Sequence, residues 1–340
     1  MATKLSIKKV TVIGNGGWGT TIAILLYKKG YEVTLWGADV TYTNYLREKR
    51  ENVKYLKGIP IPSGIYITSD ISDPLMSAQL FVSATPTPYL RPTLMKLKNI
   101  FDHGIPIVSV TKGIENDTLM RPSEIITNVL GKQRIALLLG PSHAEEVARE
   151  LPTTTVASSI DVDLARLVQE IFTTDRFRVY TNLDVIGVEL GAAMKNVIAI
   201  ASGICDGLKF GDNSKAALIT RGLAEISRLG VVMGAQKSTF SGLTGLGDLI
   251  TTCISPYGRN RWVGEQIGKG GKLQEILDTM EQIAEGVWTT KSVVALSNKF
   301  NVEMPITQEI YNVLFAGKSP LEAVSNLMMR APKSELEELL

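Results

Sequence analysis

The chain has 340 residues, 36 basic and 34 acidic, for a formal net charge of +2. That balance offers no field for holding a polyanion, and the length is enough for two domains with separate cores. Cys205 and Cys253 are the only cysteines, too few for a disulfide framework and without metal-ligand spacing.

The segment Met1 to Lys9 is short and polar, and no apolar run is read as reaching the ~18 residues that span a bilayer, so a soluble, cytoplasmic protein is expected. The first half alternates short apolar, β-rich runs with amphipathic segments, which is the pattern of a mostly parallel sheet covered by helices. Strands are predicted at 8–13, 31–36, 65–68, 79–84, 105–110, 135–139, 153–158 and 176–180. The first of them, Val10-Thr11-Val12-Ile13, runs straight into Gly14-Asn15-Gly16-Gly17-Trp18-Gly19 and then into an apolar helical stretch, Thr20 to Leu26. Strand, glycine turn and helix in succession give a GxGxxG match its meaning. Gly14 allows the tight turn, Gly16 lets the backbone approach a pyrophosphate received by the helix amides, and Gly19 lets helix and strand pack closely. The run from Gly14 to Gly19 is therefore expected to hold a dinucleotide.

Gly30 stands where a left-handed helix cap is expected, and Tyr31 to Trp36 completes the first βαβ unit. At the end of that strand, Trp36-Gly37-Ala38-Asp39 puts no acid directly against a ribose 2′-hydroxyl and no arginine against a 2′-phosphate. NAD or NADP is expected, with the preference open, and Asp39 reads first as a helix N-cap. After about residue 183 the β-rich runs stop. Helical segments follow at Leu183 to Ile204, Ser214 to Met233, Thr244 to Thr252 and Thr289 to Lys299, with Pro305 and Pro320 opening two more. The expected architecture is a doubly wound, Rossmann-type α/β domain over residues 1–185 and an all-helical domain over 186–340. Ligands are expected at the carboxyl ends of the strands.

Histidine is scarce: His103 lies in a polar loop and His143 follows Gly140-Pro141-Ser142, and neither forms a zinc-type cluster with the cysteines, so no metal is expected. Proton transfer is therefore sought among lysines. Lys195 sits in the otherwise uncharged run Gly191 to Ile200, where desolvation lowers an ammonium pKa toward neutrality. A snorkelling lysine covering a helix face explains the same letters. Lys112, in Thr111-Lys112-Gly113, projects from a strand's carboxyl end, where lysines are also commonly just solvated. Asp248, within Gly245-Leu246-Gly247-Asp248-Leu249, is placed to hydrogen-bond a hydroxyl, to orient a lysine or simply to cap a helix. Gly258-Arg259-Asn260-Arg261 begins a helix whose amides, guanidinium and side-chain amide suit a phosphate, or else forms an exposed arginine pair.

Together these segments resemble the NAD(P)-dependent glycerol-3-phosphate dehydrogenase family over nearly the whole chain. The likeness is carried by GNGGWGT at 14–20, TKG at 111–113, GPSHAEE at 140–146 and IGVELGAAMKNVIAIASGICDGL at 186–208. It continues through ALITRGLAEISRLG at 217–230, GLGDL at 245–249, GRNR at 258–261 and VEMPITQEIY at 302–311. The resemblance implies reversible hydride transfer between NAD(P)H and C2 of dihydroxyacetone phosphate, giving glycerol 3-phosphate for phospholipid synthesis. It implies Lys195 as proton acceptor and donor, Lys112 as the group polarising the C2 oxygen and touching the cofactor, and Asp248 as a ligand of substrate or of Lys195. Arg259 and Asn260 are implied for the phosphate, with Gly140, Ser142 and Gly258 also on the substrate. The cofactor contacts implied are Gly14, Asn15, Gly16, Gly17, Trp18, Gly19, Lys112, Ala144, Arg259 and Glu285. The chain departs from the family at Gly17 and Gly258, where serine is common, and at Ala38, where many relatives carry arginine.

The rival enzyme reading is a lysine-dependent hydroxy-acid or ketopantoate-like reductase, which shares the glycine turn and the Lys-Asn step and needs no phosphate clamp. A dinucleotide sensor without chemistry would tolerate loss of both lysines, and both are present. A homodimer is the default expectation for its assembly.

Overall fold

A computed structural model of the chain describes residues 7–72, 78–332, 334 and 335. The chain forms two compact units. One comprises the described residues up to Thr111 together with Pro122–Leu183; the other comprises Lys112–Arg121 and the described residues from Asp184 onward.

The first unit is built on strands β1 (Lys9–Ile13), β2 (Glu32–Trp36), β3 (Tyr66–Thr68), β4 (Leu80–Ser83), β5 (Ile107–Ser109), β6 (Ile135–Leu139), β7 (Thr153–Ser158) and β8 (Phe177–Asn182). They form one sheet in the order β3-β2-β1-β4-β5-β6-β7-β8. All neighbours are parallel except β6 and β7, which pair antiparallel with Leu138 opposite Ala157. The order reverses between β1 and β4, the switch point at which doubly wound sheets bind ligands. Helices α1 (Gly17–Lys28), α2 (Val40–Lys49), α3 (Thr87–Leu97), α4 (Pro122–Leu130), α5 (Ala144–Ala148) and α6 (Val162–Phe172) complete the unit.

Local rules account for these elements. The central strands are apolar on both faces because helices cover both, and Val10, Val12, Leu35, Val82, Val108 and Leu138 share a core with Ile22 and Leu26 of α1. Each such side chain, fully buried, contributes about 1.5–3 kcal/mol. Helix α1 ends before Gly30, whose φ of +92° is open to glycine at little cost. Helix α2 is capped by Asp39, which accepts from the Tyr42 amide at 3.0 Å, as its sequence position suggests.

The second unit contains α7 (Val185–Gly207), α8 (Asp212–Val232), α9 (Lys237–Phe240), α10 (Asp248–Ile254), α11 (Arg259–Gly268), α12 (Leu273–Asp278), α13 (Glu285–Phe300), α14 (Pro305–Phe315) and α15 (Pro320–Met328). A π-helical turn, Leu243–Gly247, leads directly into α10. Helix α7 starts at Asp184, whose carboxylate accepts from the Gly187 amide at 2.9 Å and ties down Gln236 and Thr239 with its other oxygen. The boundary expected after residue 185 falls at Leu183–Asp184, and segment 112–121, expected with the sheet, is grouped with the helices.

Helix α7 is the axis of this unit. Its Ala193, Val197, Ile200 and Ile204 pack with Leu229 of α8, Leu249 of α10, Val263 of α11 and Val293 of α13. It also corrects the expectation about apolar length: α7 is long and apolar enough to cross a membrane by composition, and 89% of that apolar window is buried inside the protein. Glu189, Lys195 and Asp206 interrupt the letters without cancelling the average. It is a core helix.

Candidate active site

In the first unit, the glycine turn is held from beneath. Asn52, fully buried, donates to the Asn15 carbonyl at 2.9 Å and to Thr20 Oγ1 at 2.7 Å, and accepts from the Tyr42 hydroxyl at 2.7 Å. The Asn15 side chain lies against Gly37 and donates to Thr43 Oγ1 at 3.1 Å. Gly14 has a φ of +116°, and a β-carbon there would meet the Ala84 carbonyl oxygen at 2.7 Å; one on Gly19 would meet the Gly14 oxygen at 1.8 Å. The turn is therefore closed to side chains at both ends.

In its middle the turn is open: a β-carbon on Gly16 would meet nothing within 4 Å, and α1 begins there with no side-chain cap on its amides. Trp18 Nε1 is buried and finds no acceptor among the described residues. An open glycine against uncapped amides at the start of a 12-residue helix fits a dinucleotide pyrophosphate. Gly17 differs: a β-carbon there would lie 2.5 Å from the Tyr55 carbonyl oxygen and 3.7 Å from Ala144 Cβ. The serine common at this position in the family thus has no room here. Gly17→Ser should destabilise the protein by about 1–3 kcal/mol, the usual cost of overpacking. Thermal denaturation with and without NADH checks this; an unshifted midpoint would show that the Tyr55 segment yields freely.

Gly140, with φ +147°, follows β6 and accepts at its carbonyl from Ser142 Oγ at 3.1 Å; Ala144 opens α5 after His143. These three predicted contacts belong to the first unit. His103 Nδ1 lies 2.6 Å from Gln133 Nε2 at the surface. No group of metal-binding side chains occurs among the described residues, and both cysteines are buried and unbridged.

The second unit gathers Lys112, Lys195 and Asp248. Lys195, 4% exposed, projects from the middle of α7, and Asp248, 1% exposed, is the first residue of α10. One carboxylate oxygen of Asp248 accepts from Lys195 Nζ and the other from Lys112 Nζ at 3.0 Å. Lys195 also donates to Thr252 Oγ1 at 2.6 Å, while the Thr252 hydroxyl donates to the Asp248 carbonyl at 2.6 Å. The hydroxyl therefore turns its lone pairs toward the lysine. Neither the snorkelling reading of Lys195 nor the capping reading of Asp248 holds, since the ammonium points inward and the acid stands inside the helix.

Close backbone contacts fix this geometry. A β-carbon on Gly191 would meet the Thr244 carbonyl oxygen at 2.4 Å, so the π turn lies directly on α7 one turn before Lys195 and delivers Asp248 to it. Gly203 of α7 and Gly264 of α11 likewise press on each other's helix backbones. Gly258 precedes α11, whose first two residues are Arg259 and Asn260. Asn260 Oδ1 accepts from the Gly286 amide at 2.9 Å, tying the start of α11 to that of α13, where Glu285 is the first residue; Arg259 donates to the Ile283 carbonyl at 3.1 Å. With Oδ1 so engaged, Asn260 presents Nδ2 as its donor end.

Burial drives the Lys195 ammonium down, Asp248 pulls it up and Lys112 lowers it again, leaving a pKa of about 7. Burial alone raises the Asp248 carboxyl, but Lys112 and Lys195 together hold it below the usual carboxylate range. The cluster is two amines on one carboxylate, with one amine poised to gain or lose a proton near neutrality.

The sequence reading missed Thr252 and Asn52. Thr252 stands four residues after Asp248, a spacing that puts hydroxyl and carboxylate on one helix face. Asn52 carries no sequence signal beyond an asparagine in a loop.

A Rossmann-type unit with an open glycine cradle, and a helical unit with a buried lysine tuned to neutrality, define a dinucleotide-dependent oxidoreductase. Residues 9–165 match the model for the NAD-dependent glycerol-3-phosphate dehydrogenase N-terminus, and residues 184–325 that for its C-terminus. The chain is 50% identical over 330 residues to glycerol-3-phosphate dehydrogenase [NAD(P)+] of Prosthecochloris aestuarii, covering 96% of this chain and 99% of that protein. It is 46% identical over 337 residues to the Bacillus pumilus protein of the same name, covering 98% of each. The crystal structure of glycerol-3-phosphate dehydrogenase from Coxiella burnetii superposes with a TM-score of 0.92 at 35% identity, over 95% of this chain and 99% of that one. The chain belongs to the NAD-dependent glycerol-3-phosphate dehydrogenase family.

Proposed function

We propose that this chain interconverts dihydroxyacetone phosphate and sn-glycerol 3-phosphate with NAD(P), and that Lys195 is its proton donor and acceptor. The observation that carries the assignment is the lysine itself: buried, fixed by Asp248 and Thr252, and tuned to about 7. When bound, the nicotinamide supplies or removes the hydride at C2. In reduction, Lys195 gives its proton to the C2 oxygen; in oxidation, the neutral amine takes it back. Lys112 places a second positive charge where negative charge develops on that oxygen, in a site of low exposure where such charges act strongly. Asp248 keeps both amines in register and offsets one of their charges.

The dinucleotide is assigned to the turn from Gly14 to Gly19, with Asn15 and Trp18 included, and to Ala144, Lys112, Arg259 and Glu285. The substrate phosphate is assigned to Arg259, to Asn260 Nδ2 and to the start of α11 after Gly258. Gly140 and Ser142 are assigned to the substrate as well. The protein works in the cytoplasm, where its two thiols stay reduced, as a homodimer, and runs toward glycerol 3-phosphate to supply phospholipid synthesis.

Nicotinamide absorbance followed with dihydroxyacetone phosphate, and with unphosphorylated dihydroxyacetone as control, tests the reaction with NADH and NADPH in parallel. Oxidation only with the phosphorylated ketone supports the proposal, and turnover of ketopantoate or a 2-keto acid instead would transfer the chain to the rival reductases. Arg259→Ala should raise the KM for dihydroxyacetone phosphate about 10-fold or more, because a charge-assisted hydrogen bond contributes roughly 1.5–3 kcal/mol, and should alter kcat less. An unchanged KM would remove Arg259 from the phosphate site.

A further inference from the structure

The segment Lys112–Arg121 follows β5 in the chain and leads into α4, yet it folds with the helical unit. It is anchored at several points along its length. Ile114, 3% exposed, is part of the core that includes Leu190 and Val287. Ser292 of α13 donates to the Ile114 carbonyl at 3.1 Å and is hydrogen-bonded to Asn116 Oδ1. The segment closes on itself through the Leu119 amide to the Glu115 carbonyl at 2.9 Å and the Glu115 amide to the Met120 carbonyl at 3.0 Å. At its far end Arg121 pairs with Glu189 of α7 at 2.6 Å, in a position where the carboxylate is almost fully buried. Lys112 is the near end of this strap.

Helix α7 thus carries both Lys195 and, six residues earlier, the carboxylate that grips the strap bearing Lys112. A buried ion pair is poor value as stabilisation alone, since desolvating both charges offsets most of their attraction. It does impose a fixed distance. Lys112 has a long, flexible stem that can place its ammonium in many ways, and a held backbone narrows them toward the contact with Asp248 at 3.0 Å.

We propose that Glu189, through Arg121, and Ser292, through Ile114 and Asn116, are positioning residues that set Lys112 against Asp248 for the reaction. This rests on the reading of Lys112 as the group that polarises the C2 oxygen. Glu189 holds Arg121, and Ser292 holds Ile114 and Asn116, so both act on Lys112 at one remove.

The test is a double-mutant cycle on the full-length enzyme. Ser292→Ala, which removes a single hydroxyl, and Glu189→Gln should each lower kcat for dihydroxyacetone phosphate reduction about 10-fold, the scale expected when a reacting group is slightly displaced. In a Lys112→Ala background neither should cost more than about a further twofold, because coupled residues are non-additive. The pH at which turnover of glycerol 3-phosphate rises should move upward in Ser292→Ala, since withdrawing Lys112 removes a charge that holds Lys195 down. Losses that persist in full in the Lys112→Ala background, or an unshifted pH profile, would reduce the strap to scaffolding and overturn the inference. If Lys112→Ala alone leaves turnover intact, the underlying reading of Lys112 fails instead. Ser292→Ala keeps the test decisive should Glu189→Gln, which leaves Arg121 without its full counter-charge, fail to fold.

Discussion

Lys195→Met should lower turnover by ~10²–10⁴, the range for losing a general acid or base. The replacement keeps the volume of the buried stem, and Asp248 retains Lys112 as its counterion, so folding should survive. NADH binding, read by nucleotide fluorescence, should change little, because Lys195 is not among the residues assigned to the dinucleotide. Lys195→Arg is the sharper variant: it keeps the positive charge, but a guanidinium does not release its proton near neutrality. If charge alone mattered, Arg would restore activity; if proton transfer matters, it should fail as Met does. In the native enzyme the sign of the pH dependence is fixed by the same pKa of about 7. Below it Lys195 is an ammonium and cannot accept a proton, so oxidation should rise through pH 7. Above it the amine has no proton to give, so reduction should fall. Parallel pH profiles in the two directions would remove Lys195 from the proton path.

Asp248→Asn should be nearly as damaging, by about 10²-fold or more in kcat, because the amines lose their shared charge and one of the two acceptor oxygens that orient them. It also reverses a specific influence. Asp248 raises the Lys195 pKa against burial and against Lys112, so removing its charge lets that pKa drop below about 7. Reduction should then lose its proton donor at lower pH, and the falling limb of its profile should move toward acid. A profile that keeps its limb while losing height would mean that Asp248 acts on geometry alone. Stability should be affected too, since the buried Lys195 and the part-buried Lys112 would be left without their shared carboxylate.

Much of the fold was legible because it depends on short-range patterns. Every strand predicted from an apolar run is present within a few residues, and Pro305 and Pro320 open helices as expected. The glycine turn was legible because strand, turn and helix chemistry agree there. Lys195 stood out only as a charge in an apolar run, and sequence had no means of aiming its side chain inward. The strap at 112–121 was not legible, because the letters of a βα loop do not record which core Ile114 enters. The π turn before Asp248 was equally hidden: Gly245 and Gly247 read as an ordinary bend, and only the close approach of Gly191 to Thr244 shows why extra winding is used. Gly17 is the converse case, a departure from the family letters that is accounted for by one carbonyl oxygen of Tyr55.

Helix α7 is also a problem of timing. Its packing partners α8, α10, α11 and α13 all come later in the chain, so nothing encoded before Phe300 completes its cover. At about 5–20 residues per second on the ribosome, an apolar rod waits on the order of 5–20 seconds for its sheath. During that interval Lys195, with Glu189 and Asp206 flanking it in the helix, keeps the segment from being uniformly greasy. The charge to which proton transfer is assigned in the folded enzyme is, in the nascent chain, one of the few things that make this stretch tolerable to water.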